Sequence, residues 1–139
     1  MSGPVDVVVG TELPELVVRI TRADLVRYAG ASGDFNPIHW NERVATSVGL
    51  PGVIAHGTFT MALATRAVSG WTGDPAALVE CNVRFGRPLV VPDDDEGAEV
   101  TVRGKVGALL EDGRARVDLV VTSGGEKVLS LARAIVRLA

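Results

Sequence analysis

Cysteine occurs once in 139 residues, as Cys81, so no internal disulfide can form and no thiolate cluster is available for a metal. That usage fits a reducing cytoplasm. Aromatic residues are only 4% of the chain, whereas hydrophobic residues are 47%. The core therefore has to be built from Val, Ala and Leu, an aliphatic set suited to β-rich packing. Net charge is −3, and no Lys/Arg block or basic stripe appears, which argues against a nucleic-acid partner. No apolar run approaches the roughly 20 residues that cross a bilayer, and the N-terminal MSGPVDVVVGTELPE lacks the basic and long apolar regions of a signal peptide. These absences point to a cytoplasmic protein without a membrane partner. With no repeat, low-complexity tract or linker, residues 1–139 read as one domain.

What is present is a change of texture along the chain. ELVVRI (15–20) reads as a strand, and Thr21 as the N-cap of a helix RADLVRYAG that has Leu25, Tyr28 and Ala29 on one face and stops at Gly30. NERVATSV (41–48) reads as a short helix. TFTMALATRAVSGW (58–71) is the most helical stretch, and its apolar residues nearly encircle it, so burial on nearly all sides is expected. From residue 77 onward the pattern alternates: 77–85, 98–110, 115–124 and 127–139 read as a four-strand meander joined by turn-formers such as EDGR and SGGE. A buried helix with an antiparallel sheet wrapped around it is an α+β fold. Such a wrap leaves a sheet edge and a helix end open, so a dimer is expected.

Between the first two helices lies SGDFNPIHW (32–40), with one of only two histidines. Pro37 donates no hydrogen bond and pushes Asn36 out of the helical region, while Asp34 and Asn36 are residues that tie their side chains to nearby backbone N–H groups. Ile38 and Trp40 are expected to pack inward. On spacing alone the stretch fits an ordinary polar turn with His39 at the surface. The alternative is a carboxylate and an imidazole held at one point for proton transfer. VPDDDEG (91–97) reads as a solvated acidic turn.

YAGASGDFNPIHWNERVA (28–45) closely resembles the hydratase signature of the MaoC-like, R-specific enoyl hydratase and dehydratase family. GVIAHGTFTMALA (52–64) is similar to that family's entry into its central helix, and NVRF (82–85) to a downstream strand. The likeness is strongest to the catalytic β subunits of actinobacterial (3R)-hydroxyacyl-ACP dehydratases. Ala31 departs from the pattern, which usually has a bulkier aliphatic there. The resemblance implies a hot-dog fold and reversible addition of water to a trans-2-enoyl thioester, giving the (3R)-3-hydroxyacyl thioester. It implies an acyl-ACP or acyl-CoA substrate, a step in fatty-acid elongation or a related acyl pathway, and no cofactor or metal. By the same resemblance Asp34 and His39 are the catalytic dyad, Asn36 their orienting neighbour, and the Gly57 N–H the oxyanion hole.

His56, beside Gly57, is expected to have a structural or positioning role, with lining of the site as the alternative. Thr65, two helical turns beyond Gly57, either supports the catalytic loop or bonds its own helix. Arg84 and Arg87 are candidates to meet a carrier phosphate, against a plain surface role. Residues 58–71 carry no carboxylate, which disfavours a thioesterase that places its acid on the central helix. A non-catalytic acyl-binding subunit is the other alternative, and retention of Asp34, Asn36, His39 and Gly57 argues against it. The partner is then a second copy or a second hot-dog subunit.

Overall fold

The computed structural model describes residues 6–138. β1 (Leu16–Ile20) is followed by α1 (Arg22–Ser32), a 3₁₀ turn at Pro37–His39, α2 (Glu42–Ser47) and α3 (Gly57–Thr72). Then come β2 (Leu78–Phe85), β3 (Ala98–Leu109), β4 (Arg114–Ser123) and β5 (Glu126–Arg137). The class is α+β, as expected. All strand pairs are antiparallel, in the order β1-β3-β4-β5-β2.

Local chemistry explains most boundaries. The Asp24 carboxylate accepts from the Thr21 N–H at 2.9 Å, closing the start of α1. α1 does not stop at Gly30. It runs to Ser32 and is capped by Gly33 at φ 77°, a left-handed conformation that a glycine adopts without strain. Leu25 and Ala29, both buried, hold the helix across Gly30. The β4–β5 turn sits on Gly124 and Gly125, both with positive φ, the requirement of a tight hairpin.

The meander has three strands rather than four. β3, β4 and β5 are sequential neighbours, but β2 pairs with β5 at the far edge. The chain returns from there through residues 86–97, which bury Leu89 and Val91 as they pass. On the way Ala55 N–H donates to Leu89 O at 2.9 Å and Val91 N–H to Val53 O at 3.0 Å. This short ladder fixes the segment leading into α3. The acidic turn in the same connection is exposed, and Asp94 accepts from the Glu96 and Gly97 N–H groups.

The core is aliphatic. Val100, Val102 and Val106 of β3, Val117, Leu119 and Val121 of β4, and Leu129, Ala134 and Val136 of β5 face Leu63, Ala64, Ala67 and Val68 of α3. Each fully buried Val or Leu stabilises the fold by about 1.5–3 kcal/mol. α3 is not buried all round, however. Thr58, Ala62, Arg66 and Gly70 form an exposed stripe at helical spacing. One five-stranded sheet covers only one side of a helix.

Candidate active site

The loop after α1 is held by its own polar residues. The Asp34 N–H donates to Ser32 Oγ at 3.2 Å, and Asp34 Oδ1 accepts from the Asn36 N–H at 3.1 Å. Asn36 Oδ1 accepts from the Ile38 N–H at 3.2 Å and so caps the 3₁₀ turn that Pro37 begins. Asn36 thus orients Asp34 through its backbone, while its side chain makes the turn. Of the two flanking residues Ile38 is half-buried, and Trp40 departs from expectation. His39 is buried, whereas Trp40 is 48% exposed, its indole N–H donating to Phe35 O at 3.0 Å. The short 3₁₀ turn sends the imidazole inward and the indole outward. Ala31 is exposed and does not line the space behind the loop.

His39 is clamped by the segment that enters α3. Its Nδ1–H donates to the Ile54 carbonyl at 2.7 Å, and the Ile54 N–H donates to Ile38 O at 3.2 Å. A carbonyl only accepts, so this bond places the proton on Nδ1 and leaves Nε2 as the basic nitrogen of the neutral ring. His56 Nε2–H donates to the Asp34 backbone carbonyl at 3.0 Å, a third bond between the two segments. The rings of His39 and His56 stack with centroids 3.8 Å apart and planes 20° apart. Asp34 is exposed, and its carboxylate lies within 4.8 Å of ring nitrogens of both histidines.

Such a trio invites comparison with a metal site. In nearly parallel rings, however, the in-plane lone pairs run side by side instead of converging on one ion. Two of the four ring nitrogens are already committed to backbone carbonyls. The arrangement suits proton transfer better than tetrahedral coordination.

Gly57 is the first residue of α3, with His56 at the N-cap. The Phe59 and Thr60 N–H groups fold back onto His56 O, at 3.0 and 3.2 Å. Among the described residues the Gly57 and Thr58 N–H groups have no backbone acceptor, so they present free donors at the positive end of the helix dipole. A cavity of about 230 Å³ opens here, walled by His39, Gly57, Thr60, Phe85, Arg87 and Val128. A Cβ on Gly57 would stand 2.9 Å from Cε1 of Phe85, so the glycine lets both the ring and a ligand approach the backbone.

Of the other candidates, Arg87 reaches the cavity wall. Arg84 lies on β2 and is not part of that wall. The Thr65 hydroxyl donates to the Ala62 carbonyl at 2.9 Å, so in this chain it bonds its own helix rather than the loop. Sequence reasoning missed Thr60, Tyr28 and Phe85. The Tyr28 O–H donates to Thr58 Oγ1 at 2.7 Å while its ring meets His56 edge-on. Its helical face signalled burial, and NVRF marked the strand that carries Phe85, but nothing local said that the Phe85 ring stands against Gly57.

Known proteins share this arrangement of elements. Residues 8–123 match the family described as MaoC like domain. Over 98 residues the chain is 39% identical to 3-hydroxyacyl-thioester dehydratase X of Mycobacterium tuberculosis, covering 65% of this chain and 34% of that protein. A solved structure of a MaoC-like dehydratase superposes with a TM-score of 0.94 at 42% identity, over 99% of this chain and 42% of the other. The chain therefore spans well under half the length of each of these two proteins. An (R)-hydratase from A. caviae involved in PHA biosynthesis superposes with a TM-score of 0.83 at 25% identity, covering 98% of this chain and all of that one. The antiparallel sheet around α3 is thus the hot-dog fold, and the chain belongs to the MaoC-like domain family.

Proposed function

We propose that this chain catalyses reversible hydration of trans-2-enoyl thioesters to (3R)-3-hydroxyacyl thioesters. The observation that carries the proposal is spatial: His39, whose Nε2 is unbonded, and Gly57, whose N–H is free, wall one cavity, and the Asp34 carboxylate lies within 4.8 Å of a His39 ring nitrogen. In the dehydration direction His39 Nε2 takes the C2 proton. The electron pair moves toward the thioester oxygen, where the Gly57 N–H and the helix dipole stabilise the negative charge. The C3–O bond breaks as protonated Asp34 gives its proton to the departing hydroxyl, which leaves as water. The pair then returns one proton to its starting place through solvent. Hydration is the reverse, with the Asp34 carboxylate taking a proton from the attacking water.

Arg87 at the cavity wall is placed to meet a phosphate of the carrier, whether acyl-CoA or acyl-ACP. The partner in this proposal is a second copy or a second hot-dog subunit. Two features support it. β2 pairs only with β5 among the described residues, and α3 presents the stripe Thr58, Ala62, Arg66 and Gly70 uncovered. Among the described residues no helix is long and apolar enough to cross a membrane.

The test is hydration of crotonyl-CoA, followed by loss of the enoyl thioester absorbance. Asp34→Asn and His39→Ala are each expected to lower kcat by about 10²–10⁴-fold. A folded variant of either kind within threefold of the wild type would remove the dyad. Light scattering on the same samples reports the assembly, and a monomer with full activity would remove the partner.

A further inference from the structure

His56 is a buried imidazole to which the proposed reaction gives no proton. It is 1% exposed and held from three directions. Nε2–H donates to the Asp34 carbonyl at 3.0 Å, one face stacks on His39 at 3.8 Å, and Tyr28 meets the ring edge-on at 4.8 Å. Its Nδ1 is buried without a hydrogen-bond partner. Leaving a polar atom buried and unpaired is destabilising. Tying down the Asp34 carbonyl does not by itself call for a histidine, because an amide side chain donates equally well. What histidine adds over an amide is an aromatic face against His39.

We propose that His56 is a positioning residue whose neutral ring stabilises the His39 imidazolium formed when the C2 proton is taken. The inference rests on the dyad reading above. A cation over an aromatic face is attracted by the ring's quadrupole, more strongly where water is excluded. Donation of Nε2–H to a carbonyl leaves the His56 ring electron-rich, and a second proton on Nδ1 would bury two like charges 3.8 Å apart. His56 therefore serves as the neutral member of the stack. The attraction appears only once His39 is charged, so it lowers the barrier to C2 proton removal and leaves ground-state binding alone.

Two variants separate ring from donor. His56→Gln keeps an N–H for the Asp34 carbonyl and removes the ring. For dehydration of (3R)-3-hydroxybutyryl-CoA its kcat is expected to fall about 3- to 30-fold, with KM within about twofold. His56→Phe keeps the face and removes the donor, and per folded molecule it is expected to exceed the Gln variant in kcat. The inference is overturned if His56→Gln keeps kcat, if kcat and KM move together, or if the Phe variant is the slower. NMR reports the stack without activity: the His39 ring protons resonate upfield in the wild type and lose that shift in His56→Gln. Absence of the upfield shift in the wild type overturns the inference even if both variants fail to fold. His39→Ala serves as the reference. If it stays active, the dyad reading itself has failed; if it is inactive while His56→Gln is unimpaired, only the role of His56 has.

Discussion

Substituting Gly57 by alanine separates the structural role of the α3 start from its chemical role. Gly57 does not occupy the left-handed region, so alanine is conformationally allowed, and alanine favours a helix over glycine by up to about 1 kcal/mol. The added Cβ meets Cε1 and Cζ of Phe85 at 2.9 and 3.0 Å, inside the roughly 3.5 Å at which carbon atoms rest. Phe85 is 56% exposed, so its ring can swing away at a loss comparable to the helix gain. Net stability is expected to change by less than about 1 kcal/mol, a shift in Tm of under about 5 °C. Activity should behave quite differently. The methyl protrudes into the cavity at the point where a thioester oxygen has to come within about 3 Å of the Gly57 N–H, and losing one such donor costs about 10²–10³ in kcat. Calorimetry paired with crotonyl-CoA hydration checks both halves. A folded Gly57→Ala protein within threefold of wild-type kcat would refute the oxyanion assignment. So would a Gly57→Ala/Phe85→Ala double variant that recovers the rate of Phe85→Ala, since the displaced ring would then be the cause.

Three further outcomes are expected. Asn36→Ala removes the side-chain cap on Ile38 and should lower stability by about 1 kcal/mol in urea unfolding. Because the backbone N–H of residue 36 still holds Asp34, its kcat should fall far less than that of Asp34→Asn. Arg87→Ala should raise KM for crotonyl-CoA about 2- to 5-fold, as suits an exposed charge, and leave KM for a phosphate-free N-acetylcysteamine thioester unchanged. Burial holds the Cys81 thiol above the ordinary cysteine range. A raised pKa means less thiolate at any given pH, so Cys81 should react with a disulfide reagent at pH 8 more slowly than free cysteine, and the gap should narrow as pH rises.

The strands and helices were legible because their causes are local. Alternating valines over 98–110 and 115–124 have one outcome on a pleated sheet, and EDGR and SGGE supply the residues that tight turns need. Asp34 and His39 were legible because their loop is built from short-range Asx and proline chemistry. What stayed hidden depends on long-range placement. Nothing near residues 78–85 says that the strand pairs with β5 rather than β3, and so nothing says that Phe85 ends against Gly57. The tautomer of His39 was equally hidden, because it is set by a backbone carbonyl, and a carbonyl has no letter in the sequence. The histidines stand 17 positions apart, and only the fold reveals that they stack. The open stripe on α3 was misjudged because apolar composition reports how much a helix can bury, not how many layers exist to cover it.

The three bonds joining residues 34–39 to residues 54–56 have a dynamic consequence. His39, its tautomer-setting carbonyl, His56 and the Gly57 amide all ride on two short segments stitched to each other, so motions of the surrounding sheet carry them along as one piece. Opening of the stitched pair breaks the Ile54–Ile38 and Ile54–His39 bonds together, so the site geometry and the protection of that amide are lost in one event. Amide exchange at Ile54 and loss of turnover should then follow the same free energy as denaturant is added.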